Sequence, residues 1–162
     1  MVALLIGIIL TLITLFAENI LFSIGSFSIL IVVSMFLFEK RSNVMLFTVL
    51  LIVSCVLDTH YHLYIGSFYF AVLVAFTVYS ILKRVLPSTV MVSKATLLFI
   101  SFLFYHLTVL LVAFYQTQGE VKTLNSIGVD LVRSIPLGIF EVFLFFLIDY
   151  IVNEVFISKT LK

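Results

Sequence analysis

The chain has 162 residues, 64% of them hydrophobic, and nine Lys and Arg against eight Asp and Glu give a net charge of +1. A soluble domain of this length cannot hide 18 Phe, 7 Tyr and a mean hydropathy of +1.34, so lipid is the expected solvent for much of the surface. No basic stripe outside the loops offers a nucleic-acid surface, and the lone Cys55, set in an apolar run, excludes an internal disulfide.

The first sixteen residues lack a charged leading segment and a convincing small-residue cleavage site, so they read as a retained span. A hydrocarbon core of about 30 Å needs roughly 20 helical residues. Six candidates follow in order: Val2–Ala17, Ile20–Phe38, Val44–Leu57, Ser67–Leu82, Ala95–Tyr115 and Leu137–Val152. The expected class is therefore an all-α, single-domain bundle of about six transmembrane helices. Glu18-Asn19 marks a very tight break between the first two, which are alternatively one broken element with a re-entrant half. Ala3 and Gly7 form a small-xxx-small pair suited to helix packing, and Ser23, Gly25, Ser26 and Ser28 make a small polar patch in the second span.

The basic residues set the expected orientation. With the N-terminus in the cytoplasm, Lys40, Arg41, Lys83, Arg84, Lys94, Lys159 and Lys162 all lie inside, and only Lys122 and Arg133 outside. Both termini are then cytoplasmic. Asp58–Gly66 becomes an outer loop whose histidine and tyrosine rings suit the headgroup boundary. In Gln116–Pro136, Leu124, Ile127, Leu131 and Ile135 recur at helical spacing, which predicts a short amphipathic helix on the outer surface. Pro136 is expected to stop it, with a kinked extension of the last span as the competing reading.

Ionisable groups inside hydrocarbon cost at least ~2.5 kcal/mol and are expected to face the bundle. His106, at the middle of the fifth span, is the deepest. A neutral imidazole bonded to a neighbouring helix and a ligand or proton-relay role are both open for it. Glu141 and Asp149 lie about 80° apart around the sixth span at ~100° per residue, so both fit one interior sector. Asp149 lies near the inner end, within reach of Lys159 or water. Asp58, His60 and His62 alternate, and in an extended segment would share one side. Asp and His are ordinary zinc ligands, yet no fourth ligand is near, and interfacial polar packing is the preferred reading. No phosphate loop, zinc-protease helix or nucleophile elbow occurs, and neither catalysis nor a cofactor is expected.

Around the third and fourth spans the chain resembles the MreD family of bacterial rod shape-determining membrane proteins. An apolar helix ends in Leu57-Asp58, Gly66 follows eight residues on, and the next apolar helix, Ser67–Leu82, closes with Lys83-Arg84. Where the family often has further small residues between the Asp and the glycine, this chain has His60, Tyr61, His62 and Tyr64. The resemblance implies a fold similar to the six-helix substrate-binding subunits of energy-coupling-factor transporters. It also implies a non-enzymatic scaffold of cell-wall elongation in the bacterial cytoplasmic membrane. The implied partner is an MreC-like membrane-anchored protein, with MreB, RodA and a class B penicillin-binding protein completing the assembly. The fold likeness leaves a second expectation open: a substrate-capturing subunit of a vitamin-type transporter, with a polar outer pocket drawn from Asp58, His60, Glu120 and the 116–136 segment.

Overall fold

The computed structural model describes residues 2–25, 28–40, 43–86, 90–116 and 124–154. The described residues form six helices: α1 (Val2–Gly25), α2 (Ile29–Glu39), α3 (Asn43–His60), α4 (Ser67–Leu82), α5 (Met91–Gln116) and α6 (Leu124–Val152). The architecture is all-α. Two of them, along Met91–Gln116 and Gly128–Glu154, are long and apolar enough to cross a membrane. α2 has only 11 residues, about 16 Å at 1.5 Å per residue.

α2 is the core of the molecule. It packs against α1, α3, α4 and α6, while α3, α4, α5 and α6 pack in sequence around it and α1 closes on α3. Leu30, Ile31, Val32, Met35 and Leu37 of α2 are buried, and α2 alone carries no large exposed apolar side chain. The other five helices each turn large apolar groups outward, such as Leu12 and Phe16 on α1 and Phe143 and Leu147 on α6. Such a surface is stable only against another apolar phase.

The chain alternates in direction, so its charges gather at one end. There Lys40, capping the C-terminus of α2, lies 2.9 Å from Asp149 near the end of α6. Lys94 in the first turns of α5 lies 2.8 Å from Glu39 and 3.7 Å from Asp149. Tyr79, near the end of α4, donates its hydroxyl to Glu39. Exposed Lys83 and Arg84 follow α4 at the same end. At the opposite end, Gln116 at the end of α5 accepts the Tyr64 N–H at 3.0 Å and donates to the His62 carbonyl. Arg133 lies about 24 Å along α6 from Asp149, at ~1.5 Å per residue, away from the basic end.

Three expectations are corrected. Glu18-Asn19 is no break, because α1 runs straight through both residues to Gly25. Ser28, immediately before α2, has a φ of −112° and a ψ of 102°, which are extended. Pro136 does not stop a surface helix but sits inside the single 29-residue α6, as the competing reading held. A proline there removes one donor, and neighbouring turns carry the helix across it. Asp58 and His60 lie on the last turn of α3, not on an extended segment, so alternation does not align them. Asp149 meets Lys40 and Lys94; Lys159, its expected partner, lies outside the described residues, as do Arg41, Lys122 and Lys162.

Candidate functional site

The first four N–H groups of any helix lack partners within it, and the helix dipole adds about half a positive charge at that end. α2 begins inside the bundle, where water does not satisfy these groups. Two fully buried carboxylates do so. Glu141 of α6 accepts the Ser28 N–H through Oε1 at 3.1 Å, and Glu18 of α1 accepts the Leu30 N–H through Oε2 at 2.9 Å. The Ser28 hydroxyl, the usual source of an N-cap bond, is instead 2.8 Å from the Tyr105 hydroxyl of α5. One residue later on α5, His106 Nε2 lies 3.0 Å from both oxygens of Glu141. Its side chain is 12% exposed, so this ring is the cluster's contact with the exterior.

Local sequence explains this arrangement. Adjacent residues 105 and 106 place a phenol toward Ser28 and an imidazole toward Glu141, with ring centroids 5.3 Å apart. On α6, Gly138 lets α5 come close: a Cβ there would lie 3.2 Å from the Phe99 ring. That approach brings Glu141, three residues on, within reach of His106. Among the described residues, Glu18 Oε1 and the buried hydroxyls of Ser34 and Ser54 have no hydrogen-bond partner.

A second cluster gives the Leu57-Asp58…Gly66 pattern its physical content. Leu57 is buried, and Asp58 is fully buried. Asp58 Oδ2 accepts the Gly66 N–H at 2.6 Å and Oδ1 accepts the Phe68 N–H at 3.0 Å, so the side chain from the end of α3 caps the start of α4. Gly66 has a φ of +98°, a left-handed value that favours glycine. The Asp and the glycine therefore act as one turn. His60 and His62 stand apart from it: both are exposed, and His60 packs edge-on to Tyr61 at 4.9 Å.

Of the site residues expected from sequence, His106 and Glu141 meet, while Asp149 is held at the charged end. Lys83 Nζ lies over the Tyr79 ring at 5.4 Å. Gly7 packs on α3, a Cβ added there lying 3.6 Å from Thr48; the side chains of Ala3 and Ser23 lie outside the described residues, as do Ser26 and Glu120. Sequence reasoning took Glu18 for a break between spans and Ser28 for part of a small polar patch, and it missed Tyr105. One signal was present for Glu18: it has neither a basic neighbour nor a glycine or proline beside it, as an ionisable group inside a helix would. No family model, curated protein or solved structure matches the chain.

Proposed function

We propose that the chain is a multi-pass scaffold of the bacterial cytoplasmic membrane, MreD-like, that binds an MreC-like protein and helps maintain rod shape during cell-wall elongation. In this reading all six helices lie in the membrane, both termini are cytoplasmic, and the Lys40–Lys94–Asp149 end faces the cytoplasm. The shortness of α2 fits a buried half-helix, tolerated at membrane depth because protein groups satisfy its end.

The observation that carries the reading is the Asp58–Gly66 turn between two apolar helices, with Lys83-Arg84 closing the second. It joins the sequence resemblance to a defined structural device. The division of polar and apolar groups supports a packing role over chemistry. The deep polar side chains are mostly engaged within the bundle, by backbone groups or by one another, and five helices turn apolar faces outward. Two grooves beside the outer half of α6 are also apolar, one lined by Leu103, Leu107, Leu131 and Ile135, the other by Gly128, Val129 and Val132 with Arg133 at its edge. The transporter reading draws less support, since both oxygens of Asp58 are engaged by α4 and His60 is exposed.

Depleting the protein in its rod-shaped host tests the function. The expected result is rounded, widened cells before growth stops. Normal rods after complete depletion contradict the reading.

A further inference from the structure

The scaffold reading leaves the polar cluster at the start of α2 without a role beyond holding the chain. Glu18 is fully buried, and only one of its two oxygens accepts a hydrogen bond. An ionised carboxylate presents about four acceptor sites. Glu141, by contrast, is fully engaged: it accepts the Ser28 N–H and faces His106 through both oxygens.

We propose that Glu18 is a buried proton-binding site, its carboxyl holding one exchangeable proton on Oε1 beside the Glu141–His106 pair. The chemistry follows from the inventory of groups. α1 contributes Glu18, α6 contributes Glu141, and α5 contributes Tyr105 and His106. Asp58 and Tyr61, at the end of α3 and just beyond it, also lie within electrostatic range of the cluster. Asp58 is already bonded to two N–H groups of α4. One imidazole and one helix N-terminus therefore face two buried carboxylates. The imidazole is bonded to Glu141, so a second negative charge at Glu18 would face no cation of its own among the described residues, only neutral donors of Ser28, Ile29 and Leu30 at the start of α2.

A neutral carboxyl resolves this. Its carbonyl oxygen, Oε2, accepts the Leu30 N–H, and the proton rests on the oxygen that accepts nothing. Buried carboxylates close enough to interact titrate as a set, and one of them stays protonated where both cannot be charged. His106, 12% exposed, is the least buried member of the cluster. Because Glu18 belongs to α1 and its bond is to α2, the bound proton also sets how firmly the short helix is tied to its neighbour. The proton site is independent of the scaffold reading.

Infrared spectroscopy of the purified full-length protein, titrated between acid and mildly alkaline pH, is the test. A carbonyl stretch of a protonated carboxylic acid is expected at neutral pH, lost in Glu18→Gln and kept in Glu141→Gln. Thermal unfolding adds a second readout. A folded state that binds one more proton than the unfolded state is stabilised at low pH and loses that stability as pH rises. The unfolding temperature should therefore fall with rising pH in the wild type and fall less in Glu18→Gln, whose amide mimics the protonated acid. Glu18→Ala should be less stable than Glu18→Gln, because the Leu30 N–H loses its acceptor. Absence of the carbonyl band from the wild type across the titration overturns the proposal, even if a variant fails to fold. So does a band unchanged by Glu18→Gln, or a sodium-dependent rise in unfolding temperature at fixed pH, which would assign the site to a metal cation.

Discussion

Asp58→Ala removes the acceptors of two N–H groups at the start of α4, those of Gly66 and Phe68. Asp58 is fully buried, so water does not replace the lost oxygens. A buried donor left unsatisfied costs about 1–3 kcal/mol, which for two donors gives about 2–6 kcal/mol. In a chain of this size each kcal/mol moves the unfolding midpoint by about 2–4 °C, so Asp58→Ala should lower it by roughly 5–20 °C. Asp58→Asn keeps one acceptor and turns an amide toward the other donor, so it should fall between wild type and Asp58→Ala. The assay is circular dichroism of the helical signal during heating of the detergent-solubilised protein, with all variants in the same micelle. An Asp58→Ala midpoint within about 2 °C of wild type would refute the reasoning, because the two bonds would then contribute less than 1 kcal/mol.

Further expectations concern other parts of the bundle. Gly138→Ala places a methyl 3.2 Å from the Phe99 ring and should destabilise by about 1–3 kcal/mol, while Gly128→Ala, with nothing within 4 Å, should be neutral or stabilising; thermal unfolding of the pair checks this. Lys94→Ala should cost more than Lys40→Ala, since the Lys94 side chain is 18% exposed and meets two carboxylates, whereas that of Lys40 is 39% exposed; the same assay ranks them. In a Cys55→Ser background, single cysteines at Tyr64 and at Val85 should react with an impermeant maleimide from opposite sides of the membrane, position 64 in whole cells and position 85 only after the cells are opened. Labelling of both from the same side would overturn the proposed orientation.

Much of the bundle was legible because apolar runs and basic turns are strong signals. The position of α4 was read to the residue, and the charged end follows from Lys40, Lys83, Arg84 and Lys94. The failures share one cause, which is that tertiary partners override local rules. Glu18-Asn19 looked like a boundary because an acidic residue is costly in an apolar span, yet the N-terminus of α2 offers Glu18 a donor that no local pattern reveals. Pro136 looked like a stop because it lacks an N–H, but α6 continues through it. The His106–Glu141 contact required knowing that Gly138 lets α5 and α6 approach, which one sequence does not state. Asp58 and Gly66 were visible as a pair, while their cooperation in capping α4 emerged only from the bonds and the positive φ.

The scaffold role is tested most directly by what the protein holds in its native membrane. Purification of the tagged full-length chain from gently solubilised membranes, followed by identification of bound proteins, should recover an MreC-like protein in stoichiometric amount. An outward-face variant with polar residues at Leu12 and Phe16 of α1 serves as a matched comparison for nonspecific apolar capture. Recovery of the intact, folded protein with no MreC-like partner would contradict the account.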